Sequence, residues 1–528
     1  MTNLGFQAAY NLFNLMPECV CERAFLPDAD ELEEHARTST PLFSYESQTP
    51  ASEFDIVAFS LPFEEDYPNI PRLLNLIGIP VNSSQRPSLS PLVMAGGVAV
   101  SLNPLPVAGF FDLFLIGEAE GAIEPFVEAH KAASRLLRLD ALRELDRLKY
   151  VFIPSLYDYS YDGATLKGMS PKPGAKARVV ASKNLNLDAY PIPRSFIVTP
   201  ESEFKGAYLA EIERGCPRGC RFCAAGFLYL PPRWRDAVSV KDTIRRGVET
   251  TGKAGLVGTA VSEYPWIKET IEAGIEAGGT MTLSSLRLDM LDAGLVGLLK
   301  KAGYQTVTLA PEAGSGRLRN VINKCVTDAD IMEAARLVAE AGFLKMKLYF
   351  LIGLPTETDG DAAAIVELVS AMKGVMKRGG ITLSVNPFIP KPAIPFQWAA
   401  FEDAKVIEGR LSIIKRGLSR VSGVIIKSMS VKDAFVQAYI SRADPRAGAI
   451  IAEASEAGWR PTVRKYAGFM EGSVYRGREK DELLPWDVID HGLKRQYLWK
   501  EYQKGLCGKT TPPCDVGACL RCGVCVAS

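Results

Sequence analysis

The chain has 528 residues, with 61 lysines and arginines, 61 aspartates and glutamates, eleven cysteines and three histidines. This length predicts three or four structural units, and the balanced charge excludes a strongly basic nucleic-acid coat or an acidic tail protein. The odd number and the clustering of the cysteines exclude a secreted disulfide scaffold. Clustered cysteine with scarce histidine instead indicates metal bound by thiolates in a reducing compartment.

The first residues carry no pattern typical of a secretion signal, because no basic segment precedes an apolar run with a small-residue cleavage site. The longest uncharged run, 87–111, is interrupted by several prolines and glycines. A membrane helix would not tolerate so many helix breakers, so a buried strand, a loop and a second strand are expected there. We therefore expect a soluble, cytoplasmic protein without a membrane partner.

Residues 1–148 are expected to form an α/β domain. Buried strands are predicted at 54–61, 91–100 and 111–117, with helical patterns between and after them. Apolar runs that alternate with helical periods are typical of βαβ units, so we expect an open, doubly wound parallel sheet. Residues 149–205 are rich in Pro, Ser, Tyr and Gly, and this composition predicts a connector with short strands.

The alternation of strands and helices returns in residues 206–400. Six strands are predicted, at 207–213, 256–261, 281–286, 305–310, 346–352 and 381–387. Six repeats fall short of the eight of a full (β/α)8 barrel. We therefore expect a partial (β/α)6 TIM-like barrel in this part of the chain.

Residues 401–528 are expected to form a small α+β domain with a cysteine-rich end. A helical apolar stripe contains Ala404, Ile407, Leu411 and Ile414, and the segment GVIIKS predicts a short strand. This part has 21 basic and 15 acidic residues and a net charge of +6, so residues 1–400 carry −6. The neutral total thus conceals a modest charge asymmetry.

The most specific motif is Cys216-x3-Cys220-x2-Cys223, which directly follows the first predicted strand of the barrel. Three thiolates at this spacing can hold three irons of a 4Fe–4S cluster and leave the fourth iron without a protein ligand. An open coordination position is typical of catalytic metal sites, and barrel enzymes place their chemistry on strand-end loops. The alternative is a zinc knuckle completed by one further ligand.

With Phe222 just before its last cysteine, the motif resembles the hallmark of the radical S-adenosylmethionine (radical SAM) superfamily. The resemblance implies that S-adenosylmethionine (AdoMet) chelates the open iron. It further implies that one electron from the cluster cleaves AdoMet to methionine and a 5′-deoxyadenosyl radical. An electron carrier such as flavodoxin or ferredoxin is the expected partner.

Further segments of 206–400 match the superfamily in order. Ser262 and Glu263 stand where the family has a Gly-Glu pair that holds the AdoMet amino group, with Ser in place of Gly. The segments SSLRLD, TLAPEAGSGRL and YFLIGLPTET resemble the ends of the third, fourth and fifth strands, the last bordering the adenine. The resemblance thus implies further cofactor-binding residues: Ser284, Arg287, Glu312, Ser315, Gly353 and Leu354. For each of them alone, a helix cap or a strand-end turn is the alternative interpretation.

A second set of cysteines lies within twelve residues near the end of the chain: Cys514, Cys519, Cys522 and Cys525. Four thiolates can close a metal site, and two consecutive C-x2-C steps favour ferredoxin-type iron–sulfur ligation over a zinc ribbon. We therefore expect a second iron–sulfur cluster, with zinc or a metal-free tail as alternatives. Cys507 is near enough in sequence to exchange as a ligand.

The remaining cysteines have no assigned chemistry. Cys19 and Cys21 form a C-x-C pair beside an acidic helix, where surface thiols and weak ligands are equally expected. A buried apolar position is the expectation for Cys325, with hydrogen-atom donation as the alternative.

The segments FDIVAFSLP, VMAGGVAVSLNP and FDLFLIGEAEG follow the order of a cobalamin-binding domain that is fused to some radical SAM enzymes. Gly96 and Gly97 would let the backbone approach a flat ligand closely. The Asp-x-His-x-x-Gly motif of that domain is absent, and the three histidines are expected at surface or helix-end positions. Cobalamin binding is therefore one alternative, and a domain that keeps the fold without the cofactor is the other.

Taken whole, the chain resembles an uncharacterised bacterial radical SAM family with this domain order. The expected function is reductive AdoMet cleavage for the modification of an unknown substrate, which is RNA, a protein or a small molecule. The alternatives are cobalamin-dependent radical methylation, methylthiolation of a macromolecule, and a non-catalytic, metal-stabilised RNA-binding protein that uses the basic C-terminal part. Methylthiolation is disfavoured because known methylthiotransferases carry their auxiliary cysteines in the N-terminal domain.

Overall fold

The computed structural model describes residues 2–284, 286–516 and 518–525. The chain divides into two compact units. The first unit contains residues 3–184 and 436–492, and the second contains residues 185–435 and 493–528. Both cysteine motifs therefore belong to the second unit.

The first unit is built on a four-stranded sheet, whose strands are β1 (Ile56–Ser60), β2 (Leu92–Gly96), β3 (Leu113–Leu115) and β4 (Val151–Phe152). The strands lie in chain order; β1 to β3 are parallel, and β4 is antiparallel to β3. Val93, Leu113 and Phe114 are fully buried, as expected for a sheet covered on both faces. The predicted α/β sheet is confirmed, but it is not doubly wound, because its strands follow chain order without a reversal and the last of them is antiparallel.

Six helices accompany this sheet: α1 (Leu4–Asn14), α2 (Ala29–Thr38), α3 (Asn69–Ile77), α4 (Val98–Leu102), α5 (Ile123–Ala133) and α6 (Arg138–Leu145). The strand predicted to continue to residue 100 ends at Gly96, because Gly97 turns with a φ of 123° and α4 begins directly after it. The expected connector contains three short strands: β5 (Tyr157–Asp162), β6 (Thr165–Pro171) and β7 (Val179–Val180).

The second unit has nine strands before residue 430: β8 (Tyr208–Glu211), β9 (Glu213–Arg214), β10 (Arg233–Trp234), β11 (Lys253–Val257), β12 (Thr280–Leu283), β13 (Val307–Glu312), β14 (Lys345–Ile352), β15 (Gly380–Pro387) and β16 (Val424–Lys427). Seven of them are parallel, in the order β8, β11, β12 and then β13, β14, β15, β16. A parallel bridge between Leu286 and Leu309 joins the two groups. Within the described residues β16 does not pair with β8, so the barrel is open.

The helices that alternate with these strands are α7 (Ala225–Leu228), α8 (Ala237–Thr251), α9 (Ile267–Glu276), α10 (Ala293–Lys301), α11 (Gly316–Val321), α12 (Asp328–Glu340), α13 (Asp359–Val375) and α14 (Ala404–Leu418). The predicted partial barrel and the presence of its six predicted strands are thus confirmed, although the strand expected at 256–261 is observed at Lys253–Val257. The sheet gains a seventh strand, because β16 pairs in parallel with β15 and carries the barrel past residue 400.

Residues after β16 are divided between the two units. They form α15 (Val431–Arg442), α16 (Ala447–Ala457), α17 (Trp459–Val474), β17 (Ile489–Asp490) and α18 (Arg495–Leu506). β17 pairs with β7 of the first unit, whereas α18 and the cysteine-rich end lie in the second unit. Among the described helices, none has both the length and the apolar character needed to cross a bilayer.

Candidate functional site

The first cysteine motif forms a tight loop at the end of the first barrel strand. Gly215 and Gly219 adopt positive φ angles of 90° and 67°. A Cβ atom at Gly215 would lie 2.4 Å from the carbonyl oxygen of Tyr229, so only glycine fits this close approach. The chain therefore turns directly before Cys216, and this turn places the Cys216 thiol at the carboxyl end of the barrel.

Two thiols of this loop, those of Cys216 and Cys223, interact electrostatically with the other thiols of the motif. Burial, reinforced by the neighbouring thiols, raises the pKa of Cys216 to about 12 and that of Cys223 to about 11. A metal bound by these two thiols would have to displace their protons.

Over the described residues, no group of three Cys, His, Asp or Glu side chains is placed to hold a single metal ion. The reason to expect a cluster at Cys216, Cys220 and Cys223 is the spacing of the motif, since each thiolate of a 4Fe–4S cluster binds a different iron.

Arg221 anchors the loop from within. Its side chain is fully buried and donates hydrogen bonds to the carbonyl oxygens of Asn320 and Val321, at 3.0 and 2.9 Å. It also forms an ion pair with Glu501 at 3.0 Å. A buried arginine whose donors are satisfied fixes the loop to the end of α11 and to α18.

Four charged side chains from neighbouring strand ends form a network beside the loop. Arg218 pairs with Glu263 at 2.5 Å and with Asp289 at 3.3 Å. Arg287 pairs with Asp289 at 3.0 Å and lies 3.6 Å from Glu263. The buried hydroxyl of Ser262 accepts a hydrogen bond from the main-chain nitrogen of Arg287 at 3.1 Å. The structure thus brings together Ser262, Glu263 and Arg287, as predicted.

Two members of this network, Arg218 and Asp289, were not predicted from the sequence. Arg218 lies inside the cysteine motif, and Asp289 ends the SSLRLD segment, so both were within motifs already recognised. The network could have been predicted from the opposite charges that follow neighbouring strands, because the carboxyl ends of parallel barrel strands lie at one edge.

Glu312 is the last residue of β13, and Ser315 follows this strand. Glu312 adopts a positive φ of 66° and forms an ion pair with Lys324 at 3.4 Å. Ser315 caps α11, since its hydroxyl accepts from the main-chain nitrogen of Leu318 at 3.1 Å and donates to Asp361. The helix cap that was the alternative interpretation is thus the observed role of the Ser315 hydroxyl.

Gly353 and Leu354 form the turn after β14. Both main-chain nitrogens donate to the carboxylate of Glu357, which also pairs with Arg410 at 3.0 Å. Burial raises the pKa of Glu357 to about 7, and the Arg410 charge opposes this rise. Glu357 therefore fastens the turn rather than facing a ligand.

Ser284 and Phe222 complete the predicted first site. Ser284 directly follows β12 and is half-buried, and Phe222 is half-buried within the cysteine loop. Both positions lie at the carboxyl end of the barrel, where the resemblance places them.

The four C-terminal cysteines share one neighbourhood. Burial, followed by the charges of Cys519, Cys522 and Cys525, raises the pKa of Cys514 to about 11. The Nε atom of Arg521 donates a hydrogen bond to the sulfur of Cys519 at 3.0 Å. This donor set fits a metal site closed by four thiolates.

A cleft of about 400 Å³, including its open mouth, lies between the two cysteine sets. Its lining contains one thiol of the first set and three of the second, namely Cys216, Cys514, Cys519 and Cys522. Phe227, Leu230 and Tyr497 contribute apolar and aromatic surface. The sequence predicted each cysteine set but not that they would face each other, because residues 223 and 514 are far apart in the chain.

Two expectations about isolated residues are wrong. Cys325 was expected in an apolar core, but it is exposed in the turn after α11 with a positive φ of 53°. Its pKa is raised by burial of the sulfur and then by the nearby Cys220. His491 was expected at a surface or a helix end, but it is buried beside β17. Both positions depend on long-range packing that leaves no local pattern.

The carboxyl end of the first unit's sheet is occupied by the chain itself. A Cβ atom at Gly97 would lie 2.5 Å from the carbonyl oxygen of Leu61, and one at Gly117 would lie 2.3 Å from that of Ser182. The main-chain nitrogen of Glu118 donates to Ser182 at 2.9 Å. These glycines allow main chain to approach main chain, so the residues at this edge do not fit cobalamin.

Two family models match the chain. The model described as radical SAM proteins, N-terminal, matches residues 5–154, and the model described as radical SAM superfamily matches residues 211–369. The first match contains β1 to β4, and the second contains the cysteine loop and the charged network.

An uncharacterised protein of Methanocaldococcus jannaschii is 30% identical over 418 residues, which cover 79% of this chain and 84% of that protein. The anaerobic magnesium-protoporphyrin IX monomethyl ester cyclase of Cereibacter sphaeroides is 29% identical over 160 residues, or 28% of this chain and 26% of the cyclase. The solved methyltransferase TsrM of Kitasatospora setae, with tryptophan and a SAM analogue bound, has a TM-score of 0.45 and 14% identity, covering 72% of this chain and 70% of that one. By the sequence matches, the chain belongs to the radical SAM superfamily of enzymes.

Proposed function

We propose that this enzyme binds a 4Fe–4S cluster through Cys216, Cys220 and Cys223 and reductively cleaves AdoMet to modify a substrate. The observation that carries the proposal is the position of the three-thiol loop beside the charged network of the neighbouring strand ends. When bound, the cluster supplies the electron that cleaves AdoMet to methionine and a 5′-deoxyadenosyl radical.

The charged network has the complementarity that the amino-acid end of AdoMet requires. The carboxylate of Glu263 suits an ammonium group, and the guanidinium of Arg287 suits a carboxylate. Both side chains are at most 13% exposed, so their charges are screened less than surface charges. We propose that Glu263 and Arg287 orient this end of AdoMet, with Ser262 positioning the Arg287 main chain.

We assign the adenosine part of AdoMet to residues at the carboxyl ends of the other barrel strands. We assign the turn at Gly353 and Leu354 to the adenine, as the resemblance implies; Glu357 holds the main chain of this turn, and the Leu354 side chain is buried. Ser284, Glu312 and Phe222 stand at the same end of the barrel. Ser315 contributes through the fold of the segment, since its hydroxyl caps α11.

The C-terminal cysteines are proposed to bind a second iron–sulfur cluster, because four thiols with two consecutive C-x2-C steps lie near one another there. The substrate class stays open among RNA, a protein and a small molecule. Cobalamin-dependent methylation is not favoured, because main chain fills the sheet edge of the first unit. A reduced flavodoxin or ferredoxin is the proposed electron donor.

The direct test is anaerobic reconstitution with iron and sulfide, followed by AdoMet and dithionite. Release of 5′-deoxyadenosine and methionine is expected. If the reconstituted protein shows the cluster's absorbance and releases neither product, the proposal is wrong. The substrate is then sought by comparing modified nucleosides, proteins and metabolites from cells with and without the gene.

A further inference from the structure

The two cysteine sets are joined by a short chemical path. The main-chain nitrogen of Cys514 donates a hydrogen bond of 2.7 Å to the carbonyl oxygen of Pro217, the residue next to Cys216. One peptide unit and one hydrogen bond therefore connect a thiol of the first set with a thiol of the second. Cys216 and Cys514 also line the same cleft.

The cleft that holds this path is lined by residues other than those assigned to AdoMet. Its lining residues come from the cysteine loop, from α7 and the residues just after it, from the turn at Asn323, and from the segment between Tyr497 and Cys522. They do not include Glu263, Arg287 or Glu312, which we assign to AdoMet. The two cysteine sets thus meet at a cleft that shares none of these three side chains.

The segment around the C-terminal cysteines is basic and exposed. Residues 493–525 carry six basic side chains, Lys494, Arg495, Lys500, Lys504, Lys509 and Arg521, against the acidic Glu501 and Asp515. Val516 and Leu520 are exposed apolar side chains between the cysteines. A basic rim around a small apolar patch complements an acidic carrier protein and steers its approach.

We infer that the second site is redox-active and passes electrons from an acidic one-electron carrier into the cluster at Cys216, Cys220 and Cys223. This inference rests on the proposed function. Structural zinc at the C-terminal cysteines would be redox-inert, so it could not pass an electron along this short path. The carrier is a flavin or iron–sulfur protein, as its electrons must be delivered one at a time.

The electron count of the step is balanced. The carrier loses one electron, the second site takes it up and passes it on, and the first site gains it. AdoMet then accepts this electron as its C5′–S bond breaks, so that the sulfonium becomes the thioether of methionine and the 5′ carbon keeps the unpaired electron. No proton is transferred, and the second site returns to its starting state.

The test compares wild type with Cys522→Ala and, as a matched control at an exposed position of the same segment, Thr510→Ala. Wild type and the control should bind about eight irons per chain, and Cys522→Ala about four. With dithionite, all three should release 5′-deoxyadenosine, because a small reductant reaches the first site directly. With reduced flavodoxin, electron paramagnetic resonance of rapidly frozen samples should show the first cluster reduced in wild type and the control but not in Cys522→Ala.

A second variant keeps the test informative if Cys522→Ala misfolds. Reversing the charges of two exposed side chains, Lys500→Glu with Lys509→Glu, should slow reduction by flavodoxin roughly tenfold or more and leave the dithionite reaction unchanged. Equal flavodoxin-driven rates in wild type and both variants, or zinc in place of iron at the second site, would overturn the inference. Absence of 5′-deoxyadenosine from wild type with dithionite would overturn the proposed function instead.

Discussion

Arg221 and Glu501 form a buried ion pair of 3.0 Å in which both side chains are at least 97% buried. Arg221 lies between two cysteines of the first set, Cys220 and Cys223, and Glu501 lies on α18, just before the second set. The Glu501 carboxylate also accepts a hydrogen bond from Thr511 at 2.8 Å. One ion pair therefore fixes both cysteine sets to the same part of the barrel.

Replacing Glu501 by Gln should strongly destabilise the second unit. Arg221 would keep its charge in a buried position without its partner, and breaking such a pair costs about 3–5 kcal/mol. Guanidinium unfolding measured by far-ultraviolet circular dichroism tests this. Glu333→Gln is the matched control, because its pair with Arg336 is on the surface of α12, and it should leave the unfolding midpoint unchanged. Equal midpoints for the two variants would contradict the proposed anchoring role.

Replacing Cys220 by Ala should abolish AdoMet cleavage and leave the second site loaded. The variant should retain about four of about eight irons, because only the first cluster loses a ligand. Iron analysis and the release of 5′-deoxyadenosine are the measurements. Cys19→Ala serves as control and should match wild type in both. A Cys220→Ala protein that still cleaves AdoMet would show that the first motif is not the catalytic cluster site.

The strands of both units and the first cysteine motif could be predicted from the sequence, because apolar periods and ligand spacing are local properties. The pairing of β16 with β15 could not, since residues 381 and 424 are separated by a helix and a loop. The proximity of Cys216 and Cys514 could not be predicted either, because these residues are far apart in the chain. Gly97 was correctly recognised as a close-approach position, but local sequence does not tell whether a ligand or the chain's own backbone approaches.

Replacing Glu263 by Gln should weaken AdoMet binding without removing the cluster. A hydrogen bond to a charged group contributes about 1.5–3 kcal/mol, so an increase in Kd of roughly tenfold or more is expected. Equilibrium dialysis with reconstituted protein measures it, while iron content checks the cluster. Glu269→Gln, an exposed position on α9, is the control. An unchanged Kd in Glu263→Gln would remove Glu263 from the AdoMet site.

Replacing Gly117 by Ala should destabilise the first unit. The added methyl group would collide with Ser182 main chain at 2.3 Å, and the φ of 104° is unfavourable for any residue with a Cβ. We expect a loss of about 2 kcal/mol or more in unfolding free energy. Gly109→Ala is the control, since nothing lies within 4 Å of its Cβ position.

The main-chain packing beside Gly117 also leads to a prediction about cobalamin binding by the first unit. Because main chain fills the sheet edge beside Gly117, the wild-type protein purified from cobalamin-supplemented cells should show no corrinoid absorbance. Stoichiometric corrinoid in that preparation would show that the sheet edge rearranges to admit the cofactor.

The first unit should lose stability as the pH falls, because of the buried His491. Burial, followed by the charge of Lys183, lowers the pKa of His491 to about 4. In the unfolded chain its pKa is about 6.5, so between these two values only the unfolded state binds the proton. The neutral, buried histidine therefore contributes fully above pH 6.5, and this contribution is lost progressively as the pH falls towards 4. The expected loss is on the order of 2–3 kcal/mol.

Urea unfolding at several pH values between 7.5 and 4.5 measures this effect. Carboxylates also titrate near the lower limit, so the informative quantity is the difference between wild type and His491→Gln. The variant should lose less stability than wild type over this range, because glutamine does not take up a proton. His35→Gln, at the half-exposed end of α2, should follow the wild-type curve. If the curves of wild type and His491→Gln ran parallel from pH 6.5 to 4.5, the buried imidazole would not be the group that sets this pH dependence.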